Sequence, residues 1–512
     1  MPEKLPIVYV RGYAGGTRGI DKQVDDPFYG FNDGSTHVRV NGDGDPRFYQ
    51  FESPMLRLLT DEDYELFVHG DQGAYLKARE DESVAPNSIW VYRFYDASAT
   101  TFGKEPVDFN IERAATGLYH FVQLVRKKTG APKVYLLAHS MGGLVCRCML
   151  QKISLEKDKN GNDRVPGKEI VDRLFTFATP HGGISFQAGS GLIDWAMETF
   201  GPNGADIFSP SKMYGYLTPQ AKWGDKPPDG WRPHEIPKKA FDVKRIFCLI
   251  GTDSKDYGVA SKIVGPKSDG LVMINNAYVR NAHRAFVHRS HSGRYGVVNS
   301  EEAYQNLRRF LFGRLEVRVE LCNLDLPRSK PDVKQVWQAD VRLSVRGLPI
   351  VMHEQLASHY CPVQLNQELE QPRDTPDAPV PLTTVFLLDR KRFDRDIRDE
   401  LPRRCRYSLQ LRAFRLEEKR GFFFWQDHLE QTADWDDTLI VDVGQVDDDP
   451  DDAFRAWAAW NSKTPGANAD LDPITDQPLA MQQNALTLDV PDTAKPILGK
   501  RACLRFSVNE RG

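Results

Sequence analysis

One serine in this chain stands where nucleophilic chemistry would need it. The run Val134-Tyr135-Leu136-Leu137-Ala138-His139-Ser140-Met141-Gly142-Gly143 is apolar until it stops on Ser140 among small residues. Residues 134–138 read as a short buried parallel strand, while Gly142, Leu144, Val145, Cys148 and Met149 behind the serine have helical spacing. Ser140 therefore falls on a tight strand-to-helix turn that lifts its hydroxyl above the sheet. Ala138 and Gly142, two residues to either side, leave the room such a turn demands. The Met141 amide lies at the amino end of the helix, where developing negative charge is favoured. A simple helix N-cap is the plainer reading of the same serine. The neighbouring segments decide between them.

Four further segments fall where an acyl-transfer site requires them. The strand pattern Leu5-Pro6-Ile7-Val8-Tyr9-Val10 runs straight into Arg11-Gly12-Tyr13-Ala14-Gly15-Gly16. A glycine-rich loop there can supply a second amide to an oxyanion, and Tyr13, directly after the Gly12 turn, is the candidate; the alternative is an ordinary turn. Leu174-Phe175-Thr176-Phe177-Ala178 ends in Thr179-Pro180-His181-Gly182-Gly183, and Ile246-Phe247-Cys248-Leu249-Ile250-Gly251 leads to Ser268-Asp269-Gly270-Leu271-Val272. Ala285-Phe286-Val287-His288-Arg289-Ser290-His291-Ser292-Gly293 then precedes a helical tail ending near Gly313.

Together these motifs resemble the lipase and esterase branch of the α/β-hydrolase superfamily across roughly residues 5–313. The elbow and the S-D-G-L-V motif are fairly specific in combination. Ala138 replaces the usual glycine of the elbow, and Arg11 replaces the histidine that usually braces the oxyanion loop. The resemblance implies a mostly parallel sheet with helices on both faces and hydrolysis of carboxylic esters without a cofactor. It also implies the chain order nucleophile, acid, histidine: Ser140, Asp269, His291. In those roles His291 takes the serine proton, Asp269 holds the imidazole, and the amides of Met141 and Tyr13 bind the oxyanion.

Competing assignments are visible. His288 lies three residues before His291, but the family histidine stands just before a small pair such as Ser292-Gly293. Asp253 and Asp256 follow the preceding strand directly, the ordinary acid position in many hydrolases, whereas Asp269 carries the S-D-G-L-V match. His139 and His181 flank the site and read as hydrogen-bonding or packing residues.

The elements that must position these groups make up a hydrolase domain over 1–314, with insertions at 17–88 and 184–241. The first insertion holds a helix near 56–66 and an acidic turn at 41–46, read as a solvated loop because EF-hand spacing is absent. Apolar spacing predicts an amphipathic helix over 111–128 with Gly130 as its cap. In the second insertion Ile184, Phe186, Leu192, Ile193, Trp195, Ala196, Met197 and Phe200 form an apolar helical stretch. It reads either as a fixed cap or as a mobile lid that lines an acyl pocket or touches a lipid surface.

In 315–512, residues 315–321 and 336–345 alternate with period two, and strand-like runs recur at 383–388, 407–414, 438–443 and 502–508, which predicts a β-sandwich-like all-β domain. A helix at 453–460 and a solvated acidic loop at 442–452 are expected there.

The 67 basic and 71 acidic residues nearly balance, leaving a net charge of −4 and no electrostatic footprint for nucleic acid. The arginine-rich run 389–406 is interleaved with carboxylates and reads as a solvated face. Seven scattered cysteines show no metal-ligand spacing and suit reduced packing thiols. No signal peptide or long apolar span appears, so a cytoplasmic location is expected, with signal-independent secretion as the alternative. The expected substrate is a lipid or ester, with peripheral membrane contact through the lid. Other classes to separate are a catalytically dead hydrolase used as a binding module, a delivered phospholipase toxin and an acyltransferase.

Overall fold

The computed structural model describes all residues except 1–3, 13–36, 41–45, 50–53, 68–71, 93, 95–108, 185–205, 256–265, 293–295, 328–333, 367–377, 389–403, 419–432, 446–453, 464–484 and 512. The chain divides into two compact units, Met1–Arg284 with His288–Leu307, and Ala285–Val287 with Arg308–Gly512.

The first unit is built on short apolar runs that bury both faces, the composition of a covered parallel sheet. Its strands are β1 (Ile7–Val10), β4 (Glu65–Phe67), β5 (Ser88–Tyr92), β6 (Val134–His139), β7 (Val171–Phe177), β8 (Ile246–Gly251) and the start of β9 (His283–Val287), whose last three residues are counted with the second unit; β2 (His37–Val40) and β3 (Pro46–Tyr49) form a separate antiparallel pair. The seven strands lie in the order β4-β5-β1-β6-β7-β8-β9. Every pairing from β4 through β8 is parallel. All residues of β1 and β8 are buried, and each fully buried Val, Ile or Leu contributes about 1.5–3 kcal/mol by leaving water. This sheet supports an α/β-hydrolase fold.

The helix Ile111–Thr129 delivers the chain to β6. Asn110 caps its start by accepting from the Arg113 amide, and Gly130 at φ 70° ends it in the left-handed region that favours glycine. Ile111, Ala115, Leu118, Val122 and Val125 make its buried stripe, as their spacing predicts, while Phe121, expected in the same stripe, is half-buried.

The helix expected near 56–66 is shorter, Pro54–Glu62. Asp63 turns at φ 50°, and the chain then enters β4 at the sheet edge, where Phe67 stacks on Trp90 at 4.6 Å. Edge pairing with β5 outweighs continued helical periodicity there. The acidic turn at 41–46, apart from Pro46, and most of the apolar stretch after Ile184 lie outside the described residues.

The second unit holds two antiparallel sheets among its described residues. β10 (Leu315–Cys322), β14 (Val380–Leu387), β18 (Ala485–Asp489) and β19 (Cys503–Glu510) form an antiparallel sheet in the order β14-β10-β19-β18. β11 (Lys334–Val345), β12 (Val351–Gln355), β15 (Arg404–Glu418), β16 (Trp435–Gln445) and β17 (Phe454–Trp460) pair in the antiparallel order β12-β11-β15-β16-β17, with β13 (Val363–Gln364) also on β11. Alternate residues of both sheets, including Val317, Val319, Leu504, Phe506, Val341, Leu409 and Leu439, enter one apolar core.

Two expectations for this unit are corrected. Residues 454–460 form β17, not a helix. A short apolar run carries little periodic information, and pairing of Trp460 with Leu439 and of Ala458 with Val441 fixes it as a strand. Asp442, expected in a solvated loop, is instead a buried strand residue that takes a bidentate ion pair from Arg406 at 2.7 and 2.8 Å.

Candidate active site

The turn at Ser140 has φ 51° and ψ −128°, between β6 and the helix Met141–Gln151. A non-glycine residue held there costs on the order of 1–3 kcal/mol, so its surroundings must enforce it. The Ser140 amide donates to Phe177 O at 2.9 Å, and Ser140 O accepts from Thr179 Oγ1 at 2.9 Å and Gly143 N at 3.1 Å. Glycines make the close approach feasible. A Cβ on Gly142 would stand 2.3 Å from Val10 O, and one on Gly143 would stand 2.2 Å from Thr179 Oγ1. Ala138, in the position usually held by glycine, is fully buried.

Above this turn, Ser140 Oγ lies 3.0 Å from His291 Nε2, and His291 Nδ1 lies 2.9 Å from Asp269 Oδ2. All three residues are buried. Asp269 is aimed by its own loop. Its Oδ1 accepts from Leu271 N at 3.0 Å and Val272 N at 2.7 Å, which leaves Oδ2 for the imidazole. Gly270 sits at φ 98°, a conformation only glycine adopts without strain, and this explains the S-D-G-L-V pattern. The main chain ties the two loops together through His291 N donating to Asp269 O at 2.8 Å. Such a chain can pass the serine proton to imidazole while the carboxylate fixes the tautomer.

The other sequence candidates stand apart from this chain. His288 is exposed, with Nδ1 3.3 Å from Thr252 Oγ1. Asp253 accepts from the Lys255 amide at 2.9 Å, and Asp256 lies outside the described residues. Met141 is the first residue of its helix, so its amide has no intrahelical partner. Tyr13 lies outside the described residues; Arg11 and Gly12 before it are buried.

The flanking histidines are held neutral. His139 Nε2 lies 3.1 Å from the His291 carbonyl oxygen, and its imidazole is pushed down to about 3 by desolvation first, then by the charges of His291 and Arg11. His181 is fully buried, with Nε2 3.0 Å from Thr176 Oγ1, and desolvation followed by the Arg147 charge lowers it well below the usual histidine range.

Arg147, inside the helix behind Ser140, is the residue that sequence reasoning passed over. Its guanidinium is fully buried and bonds Gln151 Oε1 at 2.8 Å, His181 O at 2.9 Å, Pro233 O at 2.6 Å and Glu235 O at 3.3 Å. Burial lowers it to about 10, so it remains a cation at neutral pH. A lone arginine between Cys146 and Cys148 in an otherwise apolar helix was the available signal.

Among the described residues, no group of three or more His, Cys, Asp or Glu is arranged to hold a metal ion, and no helix is long and apolar enough to cross a membrane. All seven cysteines are free.

Residues 71–200, which include the elbow, match a family described as "Putative serine esterase (DUF676)". No curated protein matches the chain in sequence. Among solved structures, the chain is similar to the mature form of Bacillus licheniformis lipase BlEst2, with a TM-score of 0.32 and 15% identity, covering 61% of this chain and 93% of that one. The propeptide form of that lipase gives a TM-score of 0.31 and 12% identity, with coverage of 87% and 95%. Aspergillus fumigatus lipase B gives a TM-score of 0.24 and 11% identity, with coverage of 56% and 44%. Scores this low carry no argument about function. The family match supports a serine hydrolase relationship for the segment that contains Ser140.

Proposed function

We propose that this protein is a serine hydrolase that cleaves carboxylic esters through an acyl-enzyme, with lipid acyl esters as its substrate class. The observation that carries the reading is the continuous chain from Ser140 Oγ to His291 Nε2 at 3.0 Å and from His291 Nδ1 to Asp269 Oδ2 at 2.9 Å. In this scheme Nε2 accepts the Ser140 proton as Oγ attacks the ester carbonyl. The imidazolium then donates that proton to the leaving alcohol. Asp269 stabilises the imidazolium, and the amides of Met141 and Tyr13 receive the oxyanion. Water next attacks the acyl-enzyme by the same relay in reverse. The hydrophobic character of the insertion at 184–241 favours an acyl chain over a sugar or phosphate.

Labelling by a fluorophosphonate probe and a panel of triglyceride, phospholipid and short p-nitrophenyl esters test the reading. Ser140→Ala should lose about 10⁶-fold in turnover and all labelling while remaining folded. Near-normal ester hydrolysis by the folded variant rejects the scheme. An unlabelled wild-type protein supports the inactive binding module instead.

A further inference from the structure

We propose that His139 is a positioning residue that registers the catalytic histidine on the nucleophile strand. Its Nε2–H donates to the main-chain carbonyl of His291, and the opposite edge of its ring backs Gly12 at the start of the oxyanion loop. This inference rests on the Ser140, His291 and Asp269 reading and adds a residue to that same site.

The geometry carries it. His139 Nε2 stands 3.1 Å from His291 O, and the two rings lie 5.2 Å apart at 41°. A carbonyl oxygen only accepts, so Nε2 carries the proton and Nδ1 is bare. Nδ1 faces Gly12, where a Cβ would come within 3.0 Å of it. A side chain at position 12 would therefore push on the ring and also on Ser140, whose Cβ would lie 3.1 Å away.

Asp269 holds the His291 imidazole through Oδ2 and the His291 amide through the Asp269 carbonyl. The bond from His139 holds the carbonyl side of residue 291 from another element, the nucleophile strand. Because His139 and Ser140 are adjacent in the chain, the end of β6 grips the base and presents the nucleophile at once. The strand end thus acts together with the Asp269 contacts in setting the separation of Oγ and Nε2. Neutrality matters as well. Desolvation and the nearby charges keep the His139 ring unprotonated at working pH, so it donates without repelling the imidazolium that forms on His291.

The test compares His139→Phe, which keeps a ring and removes the donor, with His139→Gln, whose terminal amide can reach the same carbonyl. For a short p-nitrophenyl ester, His139→Phe should lower kcat about 10²-fold, the cost of a misplacement near 1 Å, with KM changed less than about twofold. The rate of fluorophosphonate labelling should fall in parallel. His139→Gln should recover most of the loss, which a merely space-filling ring would not predict. A kcat for His139→Phe within about twofold of wild type, or equal losses in both variants, overturns the proposal.

Failure of the hydrolase reading is distinguishable, because the wild type would then resist labelling at Ser140. If His139→Phe does not fold, ¹⁵N shifts of the His139 imidazole in the intact wild-type protein decide the matter. The Nε2–H tautomer is expected from about pH 5 to 8, and an Nδ1–H tautomer or an ordinary titration near 6.5 overturns the assignment.

Discussion

Asp269 carries two tasks on two oxygens, and the division explains why a carboxylate is needed. Oδ1 closes its own turn by accepting from Leu271 N and Val272 N, while Oδ2 faces His291 Nδ1. Asn at this position can still accept from both amides, so the loop should keep its shape. Its amide group, however, would donate toward Nδ1 and favour the wrong imidazole tautomer. Asp269→Asn should therefore lose about 10⁴-fold in kcat with an unchanged thermal midpoint. A loss below about tenfold would move the acid elsewhere, with Asp253 the next position to test. At Ser140 the backbone strain is offset by the Phe177 and Thr179 hydrogen bonds on either side of the peptide.

Arg147 shows how an element far from surface chemistry can hold a site together. From the helix behind Ser140 it reaches the carbonyls of His181, Pro233 and Glu235, which lie before and within the insertion at 184–241. It clips both the entry to that insertion and its later portion to the nucleophile helix. No carboxylate is among these bonds, so the cation is satisfied by dipoles alone. Arg147→Met removes the charge but strands several buried acceptors, and should destabilise the protein by about 2–5 kcal/mol in urea titrations. Arg147→Lys, with one ammonium in place of a planar fork, should recover part of that loss. An unchanged midpoint in Arg147→Met would show that these carbonyls find other donors.

For the whole molecule, buried neutral histidines set a pH dependence. His181 and His139 are both depressed by desolvation, so the unfolded chain binds protons near pH 6.5 that the folded chain refuses. The unfolded state then holds more protons, and stability rises with pH through this range and falls as pH drops below it. Each histidine contributes up to about 1.4 kcal/mol per pH unit, about 2.7 for the pair. His234, also lowered, acts in the same direction. Urea midpoints at about pH 7, 6 and 5 should show the decline, and His181→Gln should flatten it by one proton's worth. Stability that is flat over this interval would contradict the buried neutral state of both rings.

What the amino-acid sequence determined by itself was local. The apolar run into Ser140, the cap at Gly130 and the left-handed turn at Gly270 are each encoded within a few residues by steric demand. The alternation of residues 315–321 likewise specifies a strand without outside help, because period two fits only a pleated surface. Tertiary structure decided what depends on neighbours distant in the chain. It ended the helix at Glu62 in favour of edge pairing and made residues 454–460 a strand beside β16. It also buried Asp442 against Arg406 and brought residue 291 to within hydrogen-bond reach of residue 140. Short apolar segments and charged side chains take their state from the partner they meet, and that partner lies outside any local window.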